Sequence, residues 1–297
     1  MIPSVSIGMP VFNGEKYIRE SLESLLRQTY TDFELVISDN ASTDNTQAIC
    51  REIAARDQRV RYLRKSENVG LIANYNSVFR LTSGKYYKWA SANDVCAPNM
   101  LEKCVRILNE QDDVVLCSCK TRLFTDDTTS AVNYELGLNL MEDSAAGRLR
   151  HLVYRLRLNN GMNGVIRRMT LERTRLLDNY LASDVNLLVE LALLGKFYEV
   201  PEYLFYRRVH PEELTASSRD EDLLKVYDPR SGKRIACKFW RLNWEHFRTV
   251  WRSSIPFTDK IRLYPFLTRK LFWDRRQLWK EAMMLRRTNG KETLRSA

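Results

Sequence analysis

The chain has 297 residues, of which 44% are apolar and 28% charged, values of an ordinary folded body and not of a disordered or collagen-like polymer. Its net charge of +10 is gathered at one end: from Ser231 onward there are 17 Lys and Arg against 5 Asp and Glu, together with five of the six tryptophans. There is no run of about 18 apolar residues and no basic and apolar leader at the N-terminus, so the sequence predicts neither a membrane span nor export.

Residues 5–119 alternate short apolar runs with helix-period segments, the pattern of a mostly parallel sheet with crossover helices. Val5–Met9 reads as a strand, and Ile18, Leu22, Leu25 and Leu26 place an amphipathic helix within Glu15–Gln28. Phe33–Ser38 is the next strand, followed by a helix carrying Ile49 and Ile53 with Ser42 or Asp44 as its N-cap. Val60–Leu63 reads as strand, Asn68–Leu81 as loop and helix, and Tyr86–Ala90 as a fourth strand. Pro98 opens a helix with Leu101, Val105 and Leu108 inward, and Val114–Cys119 is a strand.

Residues 120–160 show no clear period. Beyond them, Val165–Arg168 reads as strand, Thr170–Leu177 and Val185–Leu194 as helices with Gly195 as a C-cap, and Phe197–Val200 and Leu204–Arg208 as two short strands. The expected organisation is an α/β domain over 1–225, with halves at 1–118 and 119–225, and a basic, aromatic-rich helical extension over 226–297. Six cysteines (Cys50, Cys96, Cys104, Cys117, Cys119 and Cys237) show neither a CxxC pair nor Cys/His zinc spacing. Reduced core thiols and a cytoplasmic location are expected.

In an open α/β sheet the ligand sits at the carboxyl ends of the strands. Four such ends carry polar turns: Pro10-Val11-Phe12-Asn13, Asp39-Asn40-Ala41-Ser42, Glu67-Asn68-Val69-Gly70 and Ser91-Ala92-Asn93-Asp94. Neither G-x-G-x-x-G nor G-x-x-x-x-G-K-[ST] occurs, which argues against a dinucleotide-binding dehydrogenase and a P-loop enzyme. Together with Ser24–Thr29, Glu34–Thr46, Asn76 and Gly84-Lys85-Tyr86, these turns resemble the inverting family-2 glycosyltransferases of GT-A fold.

That resemblance implies a nucleotide-sugar donor, with a UDP-sugar the expected one, and a glycan or lipid-linked acceptor. Pro10, Phe12, Asn13, Asp39, Asn68, Asn76, Asn93 and Arg207 are implied on the donor side, with Asp39 accepting from the base. Asp94, Asn93 and His210 are implied to hold Mg²⁺ or Mn²⁺ against the diphosphate. Ser91 and Asn93 depart from the family's Asp-x-Asp element and leave one carboxylate in the turn, so the alternative is a nucleotide-sugar-binding relative with impaired catalysis. Asp184 matches the family's general base, with N-capping as the competing account.

The tail interleaves aromatics with Lys and Arg, as interfacial helices on anionic lipid do. No DNA- or RNA-binding module is recognisable, and no nucleic-acid partner is expected. Peripheral contact through 228–297 with the inner face of a membrane is the expectation for this segment, with packing against the catalytic domain as the rival.

Overall fold

The computed structural model describes residues 2–209, 226–227 and 237–293, the last eight by backbone alone. The first half follows its apolar runs closely. Strands β1 (Val5–Val11), β2 (Phe33–Asp39), β3 (Val60–Arg64) and β4 (Tyr86–Trp89) alternate with helices α1 (Ile18–Leu26), α2 (Thr46–Arg56) and α3 (Leu71–Arg80). All seven residues of β1 are buried, because β2 and β4 flank it in parallel and helices cover both faces. Each such aliphatic side chain contributes about 1.5–3 kcal/mol by leaving water. Gly8 is small for a reason: a Cβ there would stand 2.1 Å from the Tyr87 hydroxyl.

The second half adds β5 (Val95–Cys96), α4 (Met100–Glu110), β6 (Val114–Phe124), β7 (Val132–Tyr134), α5 (Ala145–Arg155), β8 (Val165–Arg167), α6 (Arg168–Leu171), α7 (Ser183–Leu194) and β9 (Lys196–Arg208). The sheet has nine strands in the order β3-β2-β1-β4-β8-β6-β9-β5, with β7 paired to β6. Strand β8 runs antiparallel to both β4 and β6, so the sheet is mixed beyond β4. One core cluster joins α1, α2 and α4 to the sheet. A second joins α3, α5 and α7.

Three expectations are corrected. Phe197–Val200 and Leu204–Arg208 are one strand: Cys119 pairs with Val200 and Lys120 with Tyr203, so Pro201 and Glu202 fall in a bulge, the place where a sheet tolerates a proline. The helix expected over Thr170–Leu177 stops at Leu171. Arg175 is drawn away to Glu190 and Glu245 at 2.8 Å each, and Leu176 takes φ 59°. Residues 120–160 contain α5, capped where Ser144 accepts from the Gly147 amide at 3.0 Å.

The C-terminal helices α8 (Lys238–Arg252) and α9 (Phe257–Thr293) pack on the same body. Val250, Leu263 and Leu267 belong to the core cluster that contains Leu187, Leu188 and Leu191. Helices α8 and α9 therefore complete the fold's second core.

Candidate active site

A cleft of about 450 Å³ opens at the carboxyl ends of β1 and β2, lined by Pro10, Phe12, Asn40, Asn68, Asn74, Tyr75 and Val226. Phe12 is 47% exposed, an aromatic face free of core packing and suited to stacking on a flat ring. Behind it, amides lock the loops. Asn40 donates to Asn68 Oδ1 at 2.7 Å and accepts from the Val69 amide at 3.0 Å. Asn74 ties itself to Ser38 through both amide atoms, at 2.6 and 2.8 Å. Gly70 carries the chain into α3 at φ 89°, a conformation that a Cβ would strain.

The expected donor residues divide. Asn13, at φ 53°, accepts from the Thr43 amide at 2.8 Å and holds the first loop against the second. Asp39 is fully buried, accepting from the Ser42 amide at 2.8 Å and from the Tyr62 hydroxyl at 2.5 Å, with Arg64 at 3.6 Å. It shapes the turn from beneath the cleft. Asn76 is placed elsewhere: its amide donates to Leu177 O at 2.7 Å and accepts from Leu177 N at 3.2 Å. It pins the 170s loop to α3 and does not line the cleft, which corrects its expected role.

The turn Ser91–Asp94 leaves β4 beside the cleft and is clasped by Arg208, whose residue is only 2% exposed. The Arg208 amide donates to Asp94 Oδ1 at 2.9 Å and its Nε to Asn93 O at 3.0 Å. Its Nη1 reaches Thr125 O and Asp126 O at 2.7 and 3.0 Å, and its Nη2 pairs with Glu20. The guanidinium lies 4.1 Å from the centre of the Tyr17 ring and 4.3 Å from that of Phe124. Consecutive strand residues point to opposite faces, so Arg207 takes the other side and donates to Asn160 Oδ1 at 2.9 Å.

Asp184 stands in the first turn of α7, whose N-cap position is taken by Ala182. Its Oδ2 accepts from Asn159 Nδ2 at 2.6 Å. Adjacent asparagines thus hold the expected base and the expected phosphate-facing arginine. Tyr75 joins the two parts. Burial first, then the charges of Asp94 and Asp184, push its hydroxyl up to about 12, while Ser91 hydrogen-bonds to it and Arg207 opposes the shift. Asp94 is raised by burial, against the Arg208 amide, Arg207, Ser91 and the buried Lys88. Tyr227, following Val226 at the cleft, bonds to the backbone of Ala182 and is raised by burial and then by Asp184 and Tyr75.

Mg²⁺ or Mn²⁺ does not fit this turn as described. Asp94 is 7% exposed and committed to Arg208 and Ser91, Asn93 brings no charge, and Arg207 and Lys88 both face the carboxylate. Among the described residues no three His, Cys, Asp or Glu side chains converge as a metal site. His210 lies outside the described residues.

Sequence reasoning missed Arg208, Tyr75 and the Asn159-Asn160 pair. The Arg207-Arg208 doublet announced two opposite orientations but not which side faced the cleft. The asparagines lay in a stretch without period.

The fold defines a class. A half-parallel sheet with its ligand-facing turns on β1, β2 and β4, closed by antiparallel strands, is the GT-A architecture. The chain belongs to glycosyl transferase family 2, whose model matches residues 6–175. An uncharacterized glycosyltransferase of Haemophilus influenzae is 34% identical over 112 residues, covering 38% of this chain and 35% of that relative. The match thus spans little more than a third of the relative's length. S. aureus TarS 1-349 in complex with UDP-GlcNAc superposes with a TM-score of 0.66 at 17% identity, over 90% of this chain and 72% of that one. A Pyrobaculum calidifontis mannosyltransferase in complex with GDP-Man and Mn²⁺ superposes with a TM-score of 0.58 at 17% identity, over 98% and 76%.

Proposed function

We propose that this chain transfers a sugar from a nucleotide sugar, a UDP-sugar in the first instance, to a hydroxyl of a glycan or lipid-linked acceptor with inversion at the anomeric carbon. The observation that carries the reading is that Asp184 and Arg207 are held by the adjacent Asn159 and Asn160, while the next residue of the same strand, Arg208, binds Asp94 through its amide, all beside a cleft at the strand ends. In this reading the nucleotide enters between Phe12 and the Asn68–Tyr75 wall. Arg207 meets the diphosphate, for which a guanidinium fork is suited.

The acceptor O–H gives its proton to the Asp184 carboxylate as its oxygen bonds to the anomeric carbon. The bond from that carbon to the phosphate oxygen breaks on the opposite face, and its electron pair leaves with the nucleoside diphosphate. The buried cations around Asp94 make this end of the cleft favourable for the departing charge. No step is assigned to a divalent ion. The TarS complex with UDP-GlcNAc supports a UDP-sugar, while the GDP-Man complex keeps a second nucleotide in view.

The test is Asp184→Asn with a panel of nucleotide sugars. Loss of transfer with retained donor binding supports the base assignment, and full transfer by the variant defeats it. A second reading, a donor-binding protein without turnover, is favoured by Ser91 and Asn93 in place of carboxylates. Release of nucleoside diphosphate at a catalytic rate would eliminate it.

We place the acceptor at the inner face of a membrane. Among the described residues no helix is long and apolar enough to cross one, so contact would be peripheral.

A further inference from the structure

Helices α8 and α9 form a hairpin that is apolar where Val250, Leu263, Phe266 and Leu267 join the core and reversed in polarity along α8. The buried positions of α8 are Asn243, Glu245, His246, Thr249 and Val250, so four of five are polar. Asn243 donates to Asp274 at 2.9 Å and accepts from Lys270 at 3.1 Å, and Lys270 pairs with Asp274 at 2.6 Å. Glu281 accepts the Phe239 and Trp240 amides at the start of α8, at 2.9 and 3.1 Å. Glu245 meets Arg175 and Arg241 at 2.8 Å and Arg248 at 3.4 Å.

Phe266 packs inward, but four large aromatic groups face out. Trp240, Trp244 and Trp251 are 48%, 63% and 73% exposed, and Phe257 at the start of α9 is 75% exposed. On α8 these tryptophans recur at i, i+4 and i+11, one stripe of a 3.6-residue helix. Arg241, Arg248 and Arg252 flank the stripe. Single exposed aromatics are common, but a tryptophan stripe backed by a polar seam marks a surface that meets an apolar phase.

Charge selects the phase. From Cys237 to Leu285 there are 11 Lys and Arg against 4 Asp and Glu. Glu245, Asp259 and Glu281 are buried, and Asp274 is paired with Lys270. Arg241 and Arg248 pair with Glu245, while Arg252, Arg269, Arg275, Arg276 and Lys280 stand exposed, so the outer surface of the hairpin still presents an excess of cations beside its aromatics. That combination fits the headgroup zone of an anionic bilayer, where indole rings sit at the acyl boundary and guanidinium groups reach phosphates.

We propose that the α8–α9 hairpin is an in-plane membrane anchor that seats Trp244, Trp251 and Phe257 in the interface of an anionic lipid leaflet. The inference rests on these helices alone and would survive a change in the sugar-transfer reading. It fixes the orientation of the enzyme, because α8 lies against α7 through Thr249 and Asn186 at 3.3 Å. The helix that carries Asp184 in its first turn is thus one layer above the lipid, within reach of an acceptor held in it.

The test uses the full chain with sedimenting vesicles, phosphatidylcholine alone or mixed with phosphatidylglycerol. The expected result is sedimentation with the anionic vesicles at low ionic strength, a blue shift of tryptophan emission, and loss of both in high salt. Trp244→Ser combined with Trp251→Ser should weaken vesicle binding by about tenfold or more, with the melting temperature and UDP binding unchanged. Equal binding to neutral vesicles, or undiminished binding by the double variant, overturns the proposal. So does a lipid-free dimer that the double variant converts to monomer, since the stripe would then be occupied by a second copy of the chain.

Discussion

Asp184 is aimed by Asn159, whose amide nitrogen lies 2.6 Å from Oδ2 while its own Oδ1 is buried without a hydrogen-bond partner among the described residues. Asn159 spends its one close bond on holding the carboxylate, and Asn160 beside it does the same for Arg207. Asp184→Asn is expected to lower kcat by about 10²–10⁴-fold with donor affinity retained. Asn159→Ala should lower kcat by a smaller factor and leave the donor KM within about twofold. Steady-state kinetics with a varied donor check both, and an Asn159 variant that raises only the donor KM would show that the residue binds substrate instead of positioning the base.

Arg208→Lys is expected to behave almost as badly as Arg208→Ala. A lysine ammonium cannot span Asn93 O, Thr125 O, Asp126 O and Glu20 from one planar group, so its charge would be buried at this position without the partners that the guanidinium has. Either variant should lose several degrees in melting temperature, with donor binding falling in parallel as the Ser91–Asp94 turn loosens. An Arg208→Lys protein as stable as the native one would remove Arg208 from its place at the centre of the turn.

The cation-rich turn predicts a donor site that tolerates chelation. UDP affinity measured by calorimetry should change by less than about threefold on adding EDTA, since the turn offers a metal one buried carboxylate. Asn93→Asp should bind UDP more weakly in EDTA and recover with Mn²⁺. A tenfold loss of native affinity in EDTA would show that the nucleotide brings an ion that this turn does hold.

His246 gives a stability signature at acid pH. Burial, then Lys270, pushes its imidazole down to about 3, and neither ring nitrogen has a hydrogen-bond partner among the described residues. Its unfolded value is near the ordinary 6.5, so between about pH 6.5 and 3 the unfolded chain takes up the proton that the folded chain refuses. The stabilisation is present above pH 6.5 and is lost as pH falls, by about 2 kcal/mol at pH 5. His246→Leu should therefore lose less stability than the native chain between pH 7.5 and 5 in matched denaturant melts. Parallel losses would mean that His246 is protonated in the folded state.

The parallel half of the fold was legible because its strands are buried on both faces and read as short apolar runs, as in Leu35-Val36-Ile37. The cleft was legible from the polar turns that end those runs. What escaped had a physical cause in each case. Pro201 split β9 into two apparent strands because a bulge is invisible to a period-2 pattern. Asn76 looked like a site residue because side-chain type alone does not reveal that both its amide atoms meet Leu177. Arg208 was passed over for Arg207 because strand alternation separates the two without saying which faces in. The hairpin of α8 and α9 was recognisable as basic and aromatic, yet only the positions of Glu245, Asn243 and Lys270 show that its polar residues are the inner ones.

Val226 on the cleft wall and Leu263 in the core have a practical consequence for anyone moving this fold between proteins. A chain cut after Val209 would retain all nine strands, and by strand count would pass for a whole catalytic module. It would lack Val226 from the wall of the cleft and much of the covering over α5 and α7. The portable unit extends to α9, and a hybrid built by exchanging tails at the end of the sheet would exchange part of that wall with them.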